Sequence, residues 1–237
     1  MYLSIIIPLY NEEKLVTQVL DKLFNLRFPS FVENYEIIVV DDSSTDNSYN
    51  TVKKYSETHS NIFCLKHEKN KGKGAAVKTG ISAANGDVFL IQDADLELSP
   101  DDIPRMLFAM HNLNVDFVNG SRYLSGIDRP LSSFSRYIGN KIFTILTAII
   151  INVKISDMAC GYKLFKKELY DKLSLKENRF GFEAEIILKA LKSKKIKIAE
   201  IPVQYFPRSI DEGKKLKTWD AVKVLFKIIK YGLFNKK

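Results

Sequence analysis

Tyr35-Glu36-Ile37-Ile38-Val39-Val40-Asp41-Asp42 is the stretch that decides the architecture. Four consecutive β-branched residues leave no polar face, as in a strand covered on both sides, and two carboxylates stand at its end. The construction recurs at Val88-Phe89-Leu90-Ile91, which runs into Gln92-Asp93-Ala94-Asp95. Ser4-Ile5-Ile6-Ile7 is a third such run.

Outward from these strands the pattern turns helical. Asn11-Glu12-Glu13 can cap a helix reaching about Asn25, with Leu15, Val19, Leu20 and Leu23 on one face. Ser44-Thr45-Asp46 opens another, carrying Val52 and Tyr55. Ile62 to Leu65 is a short strand, Gly72 to Ala84 a helix, Pro100 to His111 a helix and Val115 to Val118 a fifth strand. This alternation predicts an α/β fold with a mostly parallel central sheet and helices on both faces. Ligands gather beyond the carboxyl ends of such strands, where Asp41-Asp42 and Asp93/Asp95 fall. The second half is less regular. Helices are expected over about Ser133 to Asn152 and Phe182 to Leu191, and strands at Tyr162 to Phe165 and Ile196 to Ile201. Trp219 to Phe234 reads as an amphipathic helix with Val222, Leu225, Phe226 and Ile229 on one face and Lys223, Lys227 and Lys230 on another.

The 237 residues suit one domain, 1–237, with halves 1–120 and 121–237. Two distant cysteines, Cys64 and Cys160, argue against zinc and a disulfide framework and fit a reducing cytoplasm. No basic n-region precedes the first strand, so no signal peptide is expected. The longest apolar run, Ile142 to Val153, is broken by Thr144, Thr147 and Asn152; it is too short and too polar to span a bilayer and reads as a buried helix ahead of a membrane-dipping one. The formal charge of +8 is concentrated after Lys189 and points to an acidic partner: nucleic acid, anionic lipid or a phosphorylated substrate.

Asp93-Ala94-Asp95, with Glu97 beside it, offers the hard oxygens that suit Mg²⁺ or Mn²⁺. An EF-hand is excluded, because Leu98 stands where that loop needs glycine and Pro104 where it needs its bidentate glutamate. Asn70-Lys71-Gly72-Lys73-Gly74-Ala75-Ala76 reads either as a backbone phosphate cradle or as a tight strand-to-helix turn. Arg122, Arg129 and Arg136 follow the fifth strand and could bind an anion. His59, His67 and His111 form no ligand or nucleophile spacing and are expected to be surface or core residues.

Taken in order, these segments resemble the family 2 glycosyltransferases of the GT-A fold, in the branch of dolichyl-phosphate mannose synthase and the polyprenyl-phosphate glucosyltransferases. The resemblance rests on Ile7 to Glu12, Val39 to Asp46, Asn70 to Ala76, Gln92 to Glu97, Gly120 to Tyr123, Asp157 to Phe165, Phe180 to Glu185 and Glu200 to Val203. It implies that Pro8, Tyr10, Glu12, Val40 and Asp42 hold the base and ribose of a sugar nucleotide. Asp93 and Ala94 would lie against its diphosphate, with Asp93, Asp95 and Glu97 on the metal. Arg122 and Arg136 would meet an acceptor phosphate. The family's donor clamp would fall on Arg208 and Lys215, although the segment Arg208 to Leu216 lacks the serine of the family pattern.

The implied reaction is inverting transfer of a hexose from a nucleoside diphosphate to a polyprenyl or dolichyl phosphate, with Asp95, Asp93 and Arg122 as the catalytic set. An alcohol acceptor would need a base, for which Asp157 or Glu183 could serve; a phosphate acceptor arrives already ionised. The alternatives are a saccharide or other non-lipid acceptor, or a non-catalytic sugar-nucleotide-binding protein. No nucleic acid is expected. A position on the cytoplasmic face of a membrane, alone or beside a separate membrane partner, is.

Overall fold

The computed structural model describes residues 1–126, 133–179, 181–193, 196–208 and 218–234. Seven strands form one sheet: β1 Tyr2–Leu9, β2 Asn34–Asp41, β3 Ile62–Lys66, β4 Val88–Ile91, β5 Phe117–Ser121, β6 Lys163–Lys166 and β7 Ile198–Pro202. Their order is β3-β2-β1-β4-β6-β5-β7. Only β6 runs against its neighbours, pairing antiparallel with both β4 and β5. The carboxyl ends of the other six therefore share one edge, and the chain enters β6 from that same edge.

Helices α1 Val16–Phe24, α2 Ser48–Thr58, α3 Lys73–Ala83 and α4 Ile103–Asn112 alternate with the first strands. They are followed by α5 Phe134–Ile151, α6 Lys167–Leu173, α7 Gly181–Lys192 and α8 Thr218–Ile229, which ends in a π-helical turn at Lys230–Phe234. The sheet buries both faces. Ile5, Ile7, Val39 and Leu90 pack towards Val19, Leu20, Met106 and Leu107. Ile6, Ile38, Val40 and Phe89 pack towards Val77, Ile81, Phe182 and Ile187. The expected α/β architecture with a mostly parallel sheet is thus observed.

Three local expectations change. The first helix begins at Val16, because Asn11 adopts a left-handed φ of 50° and Glu12 heads a turn before it. The fifth strand starts at Phe117 and runs on to Ser121, and α6 has no counterpart in the sequence pattern. Most consequentially, α5 is not a buried helix: only Thr144 and Thr147 are fully enclosed, while Ile142, Ile145 and Ile149 face outward.

Candidate active site

Along the common edge, the loops after β1 and β2 are stitched together. Thr45 N donates to Asn11 Oδ1 (2.8 Å), Asn11 N to Ser44 Oγ (3.0 Å) and Glu12 N to Ser48 Oγ (2.8 Å). Asn11 and Ser43 both take positive φ, so this edge carries backbone that the core does not need. Pro8 and Val40 are direct register partners. Pro8 and Tyr10 are partly open, whereas Val40 and Ala94 are buried, backbone and side chain alike.

Asp42 points inward. Its Oδ1 faces His67 Nδ1 (2.7 Å) and accepts from Lys71 N (2.8 Å), and its Oδ2 accepts from Gly72 N (2.7 Å). Of the two readings of this segment, the tight strand-to-helix turn is the one seen: the Lys71 and Gly72 amides are taken by the chain's own carboxylate, and each oxygen of Asp42 already holds a donor. Gly72 holds φ 99°, and a Cβ there would meet Asn178 O at 2.5 Å. The glycine thus serves the turn and the close approach of the loop before α7. His67, set aside in the sequence, is a buried member of this cluster and reaches Thr79 Oγ1 as well (2.9 Å).

The tip of β4 carries the densest charge. Leu96 takes φ 56°, an unusual conformation for leucine, and bends the chain between Asp95 and Glu97. Lys73, at the start of α3, bridges Asp93 (2.6 Å) and Glu183 (2.8 Å). Burial opposes its charge, but these two carboxylates outweigh that and raise its pKa. Gly161 lies so close to Asp93 that any Cβ would collide with Oδ2. Across the tip, Arg208 donates to Glu12 Oε2 (3.0 Å) and Oε1 (3.1 Å) and to Asp95 Oδ2 (3.0 Å), and its backbone N–H donates to Glu97 Oε1 (3.0 Å). Residues after β1, β4 and β7 thus meet in one knot. Burial, then the charges of Asp93 and Glu97, push the Asp95 carboxyl up to about 6, against the pull of Arg208.

The expected metal ligands Asp93, Asp95 and Glu97 do not converge as one ligand set; among the described residues no group of three such side chains does. Lys73 and Arg208 draw Asp93 and Asp95 to different partners. The donor set itself, three hard carboxylates at one strand tip, still suits a divalent cation in chemical type.

The third feature lies after β5. Arg122 Nε and Nη2 fork onto Asp157 Oδ2 (2.7 Å) and Oδ1 (2.9 Å), and Arg122 N donates to Oδ2 (3.1 Å). Asp157 has no exposure and Arg122 very little. Burial disfavours both charges, yet each partner outweighs it: the Asp157 pKa is lowered and the Arg122 pKa raised. Asp157 is therefore not poised as a base, and Glu183 is held by Lys73. The Arg122 guanidinium also lies 5.5 Å from the Tyr123 ring and 5.1 Å from the Tyr205 ring. Arg136, on α5, is exposed and reaches Arg208 O at 3.5 Å. Arg129 and Lys215 lie outside the described residues. What sequence reasoning missed is the role of Lys73 and the pairing of Asp157 with Arg122. Lys73 stood within a quoted motif, but its partners come from β4 and α7.

The profile described as Glycosyl transferase family 2 matches residues 4–174. A dolichyl-phosphate beta-glucosyltransferase of Trichomonas vaginalis is 31% identical over 253 residues, 100% of this chain and 74% of its own length. A dolichyl-phosphate beta-glucosyltransferase of Dictyostelium discoideum is 36% identical, covering 86% of this chain and 66% of its own. The dolichol-phosphate mannosyltransferase of Pyrococcus furiosus is 31% identical, covering 98% and 64%. Among solved structures, glucosyl-3-phosphoglycerate synthase of Mycobacterium tuberculosis, in complex with Mn²⁺, UDP and phosphoglyceric acid, superposes with a TM-score of 0.75 at 18% identity. That match covers 100% of this chain and 80% of that one, and it establishes the shared GT-A architecture.

Proposed function

This chain belongs to glycosyl transferase family 2, and from that membership we propose that it transfers a hexose, with inversion, from a nucleoside diphosphate sugar to a polyprenyl or dolichyl phosphate. One observation carries the choice of acceptor. Five carboxylates at the crevice have a cationic partner: Asp93 and Glu183 share Lys73, Asp95 and Glu12 share Arg208, and Asp157 holds Arg122. Such a site is built to receive anions, and none of these five is a lone base to strip an alcohol. A phosphate monoester needs none, because its second pKa is about 6.

In this reaction an acceptor phosphate oxygen bonds to the anomeric carbon while the bond from that carbon to the diphosphate oxygen breaks. The electron pair leaves with the nucleoside diphosphate. Pro8, Tyr10 and the backbone at Val40 flank the place of the nucleoside, with Asp42 holding that loop rigid. Arg208, released from Glu12 and Asp95, can turn its fork to the diphosphate. Arg122, anchored by Asp157, and Arg136 would orient the acceptor. Asp93 and Asp95 would hold Mg²⁺ or Mn²⁺, with Glu97 adjacent; the ion supplies charge neutralisation of the leaving diphosphate. The relatives named for dolichyl phosphate support a place at a membrane, here taken as its cytoplasmic face, where a separate membrane partner could join it.

The test is a matrix of UDP- and GDP-sugars against polyprenyl phosphate and against simple saccharides, with EDTA and metal add-back and with product stereochemistry read by NMR. Inverted transfer to polyprenyl phosphate, lost in Asp95→Asn, is the expected result. Transfer to saccharides alone, or a full rate in EDTA, would contradict the acceptor or the metal respectively.

A further inference from the structure

The sheet face that packs against α7 is apolar, with Phe117 on β5 and Phe165 on β6 as register partners. The next pair on that face is Asn119 and Lys163, and neither has any exposure. Asn119 is also the register partner of Glu200, so the three side chains form a row across β6, β5 and β7. Lys163 Nζ donates to Asn119 Oδ1 (3.0 Å) and to the Cys160 carbonyl (2.7 Å). Asn119 Nδ2 donates to Asp157 O (2.8 Å) and to Glu200 Oε1 (2.9 Å). Glu200 Oε2 accepts from Ser156 N (2.8 Å) and Ser156 Oγ (2.9 Å). Both partners of the ammonium are neutral, and burial lowers its pKa. A buried lysine held this way is costly, and an apolar chain of similar length would fill the place at less cost. What the ammonium adds is a tie between two separate segments.

Ser156, Asp157 and Cys160, the residues this row holds, all belong to the loop 152–162 between α5 and β6. The same loop carries Asp157, onto which Arg122 forks, and Gly161, against which Asp93 is seated. Ser156 Oγ also donates to Ser121 Oγ (2.7 Å), which accepts from Tyr123 N (3.1 Å), so the loop is fastened to the segment that carries Arg122. We propose that Lys163 is a positioning residue for sugar transfer: with Asn119 and Glu200 it holds loop 152–162 so that Arg122 and Asp93, at the two ends of the crevice, keep a fixed separation. This role rests on the transfer reading of the site. Lys163 is fully enclosed and touches no substrate; it acts through the loop. A slack loop would leave each end able to bind its own ligand but would spoil their alignment, and a misplacement of about 1 Å can cost about a hundredfold in rate.

The measurement that separates alignment from mere structure is the ratio of transfer to donor hydrolysis in the full chain. In hydrolysis a water oxygen bonds to the anomeric carbon and the nucleoside diphosphate leaves, so only the donor end is needed; transfer needs both ends. Lys163→Met should lower the ratio about thirtyfold while UDP or GDP binding stays within about threefold of wild type. Its melting temperature should stay within about 5 °C, because an apolar chain suits the site. Amide exchange over residues 153–162 should quicken about tenfold. Glu200→Ala, on a partly exposed edge strand, removes the Ser156 anchor and should lower the ratio about threefold; it decides the matter if Lys163→Met does not fold. Lys166→Met removes the lysine at the other end of β6, which pairs with Asp116 (3.0 Å), and should leave the ratio unchanged. A purely structural role would lower the melting temperature and scale both reactions together. An unchanged ratio in Lys163→Met and Glu200→Ala would therefore overturn the positioning role, whatever amide exchange shows. A wild type that transfers to no acceptor would instead end the transfer reading and this role with it, a failure seen without any variant.

Discussion

Arg122 and Arg208 line the same crevice and each forks onto carboxylate, yet they are built to opposite ends. The Arg122–Asp157 pair is sealed: Asp157 has no exposure, its backbone carbonyl accepts from Asn119 Nδ2 (2.8 Å), and neighbouring Ser156 is tied to Glu200 on β7 (2.8 Å). Arg208 instead gathers Glu12 and Asp95 from separate strand ends at 3.0 Å and longer; its own side chain is as enclosed as that of Arg122, but Asp95 keeps more exposure than Asp157. A buried pair that loses one member strands a charge in low dielectric, whereas a cation shared between two carboxylates can exchange one of them for another anion. The first therefore belongs to the scaffold that aims Arg122, and the second to the part of the site that exchanges its contacts for substrate.

The sharpest way to break this contrast is to remove one carboxylate. Asp157→Ala leaves the Arg122 guanidinium buried and unpaired and should cost about 3–5 kcal/mol in urea unfolding. Adding Arg122→Met should recover part of that loss, because the stranded charge is gone. A single variant within about 1 kcal/mol of wild type would show that the pair is not a structural weld.

Arg208→Ala should do the reverse. Stability should fall by less than in Asp157→Ala, since Glu12 and Asp95 lose a partner but each keeps some exposure, whereas Asp157→Ala strands a charge with none. Donor affinity and kcat/KM should fall about a hundredfold, read by titration calorimetry and by initial rates. If unfolding free energy dropped as far as in Asp157→Ala, the two arginines would share one role and the comparison would fail.

The same contrast explains what was legible in the sequence. β1, β2 and β4 were readable because burial on both faces leaves unbroken runs such as Ile37 to Val40, and their acidic ends stood out against them. Arg208 was placed through a family pattern. The partners of Arg122 and Lys73 were not readable, because β6 inserts antiparallel between β4 and β5 and brings Asp157 and Gly161 to an edge that local spacing does not encode. The segment at Lys71-Gly72 stayed open between cradle and turn because a turn whose amides serve Asp42 has the same glycines as one that serves phosphate. Of the two readings of α5 the buried one was preferred and is not seen, because an apolar stripe reads alike whether protein or something else covers it.

A third test uses acid. The Asp157 pKa is lowered because Arg122 outweighs the effect of burial. A depressed carboxyl contributes stability that is complete above its unfolded value, about 3.9, and is lost as pH falls through the folded value. Arg122 stays charged throughout. Unfolding free energy should therefore decline below about pH 4, with a slope of up to about 1.4 kcal/mol per pH unit for this one proton. Asp157→Asn should flatten that limb and Arg208→Ala should leave it unchanged. An acid limb of equal slope in Asp157→Asn would assign the effect to other carboxylates.

The smallest expected effect separates geometry from charge at the β4 tip. Gly161 has no unusual φ; what excludes a side chain there is the Asp93 carboxylate, which a Cβ would strike, with Leu98 Cδ1 next at 3.3 Å. The struck atom is the end of a rotatable side chain, so Gly161→Ala can be relieved by turning Asp93 and should cost less than about 1 kcal/mol in stability. Turning it lengthens the contact with Lys73 and moves the carboxylate from its place at the β4 tip. Transfer should drop about tenfold with little change in melting temperature, a loss that no change of net charge can explain. If Gly161→Ala kept full activity while Asp93→Asn lost it, the charge of Asp93 would matter and its exact direction would not, and Lys73 would lose its role as the residue that aims it.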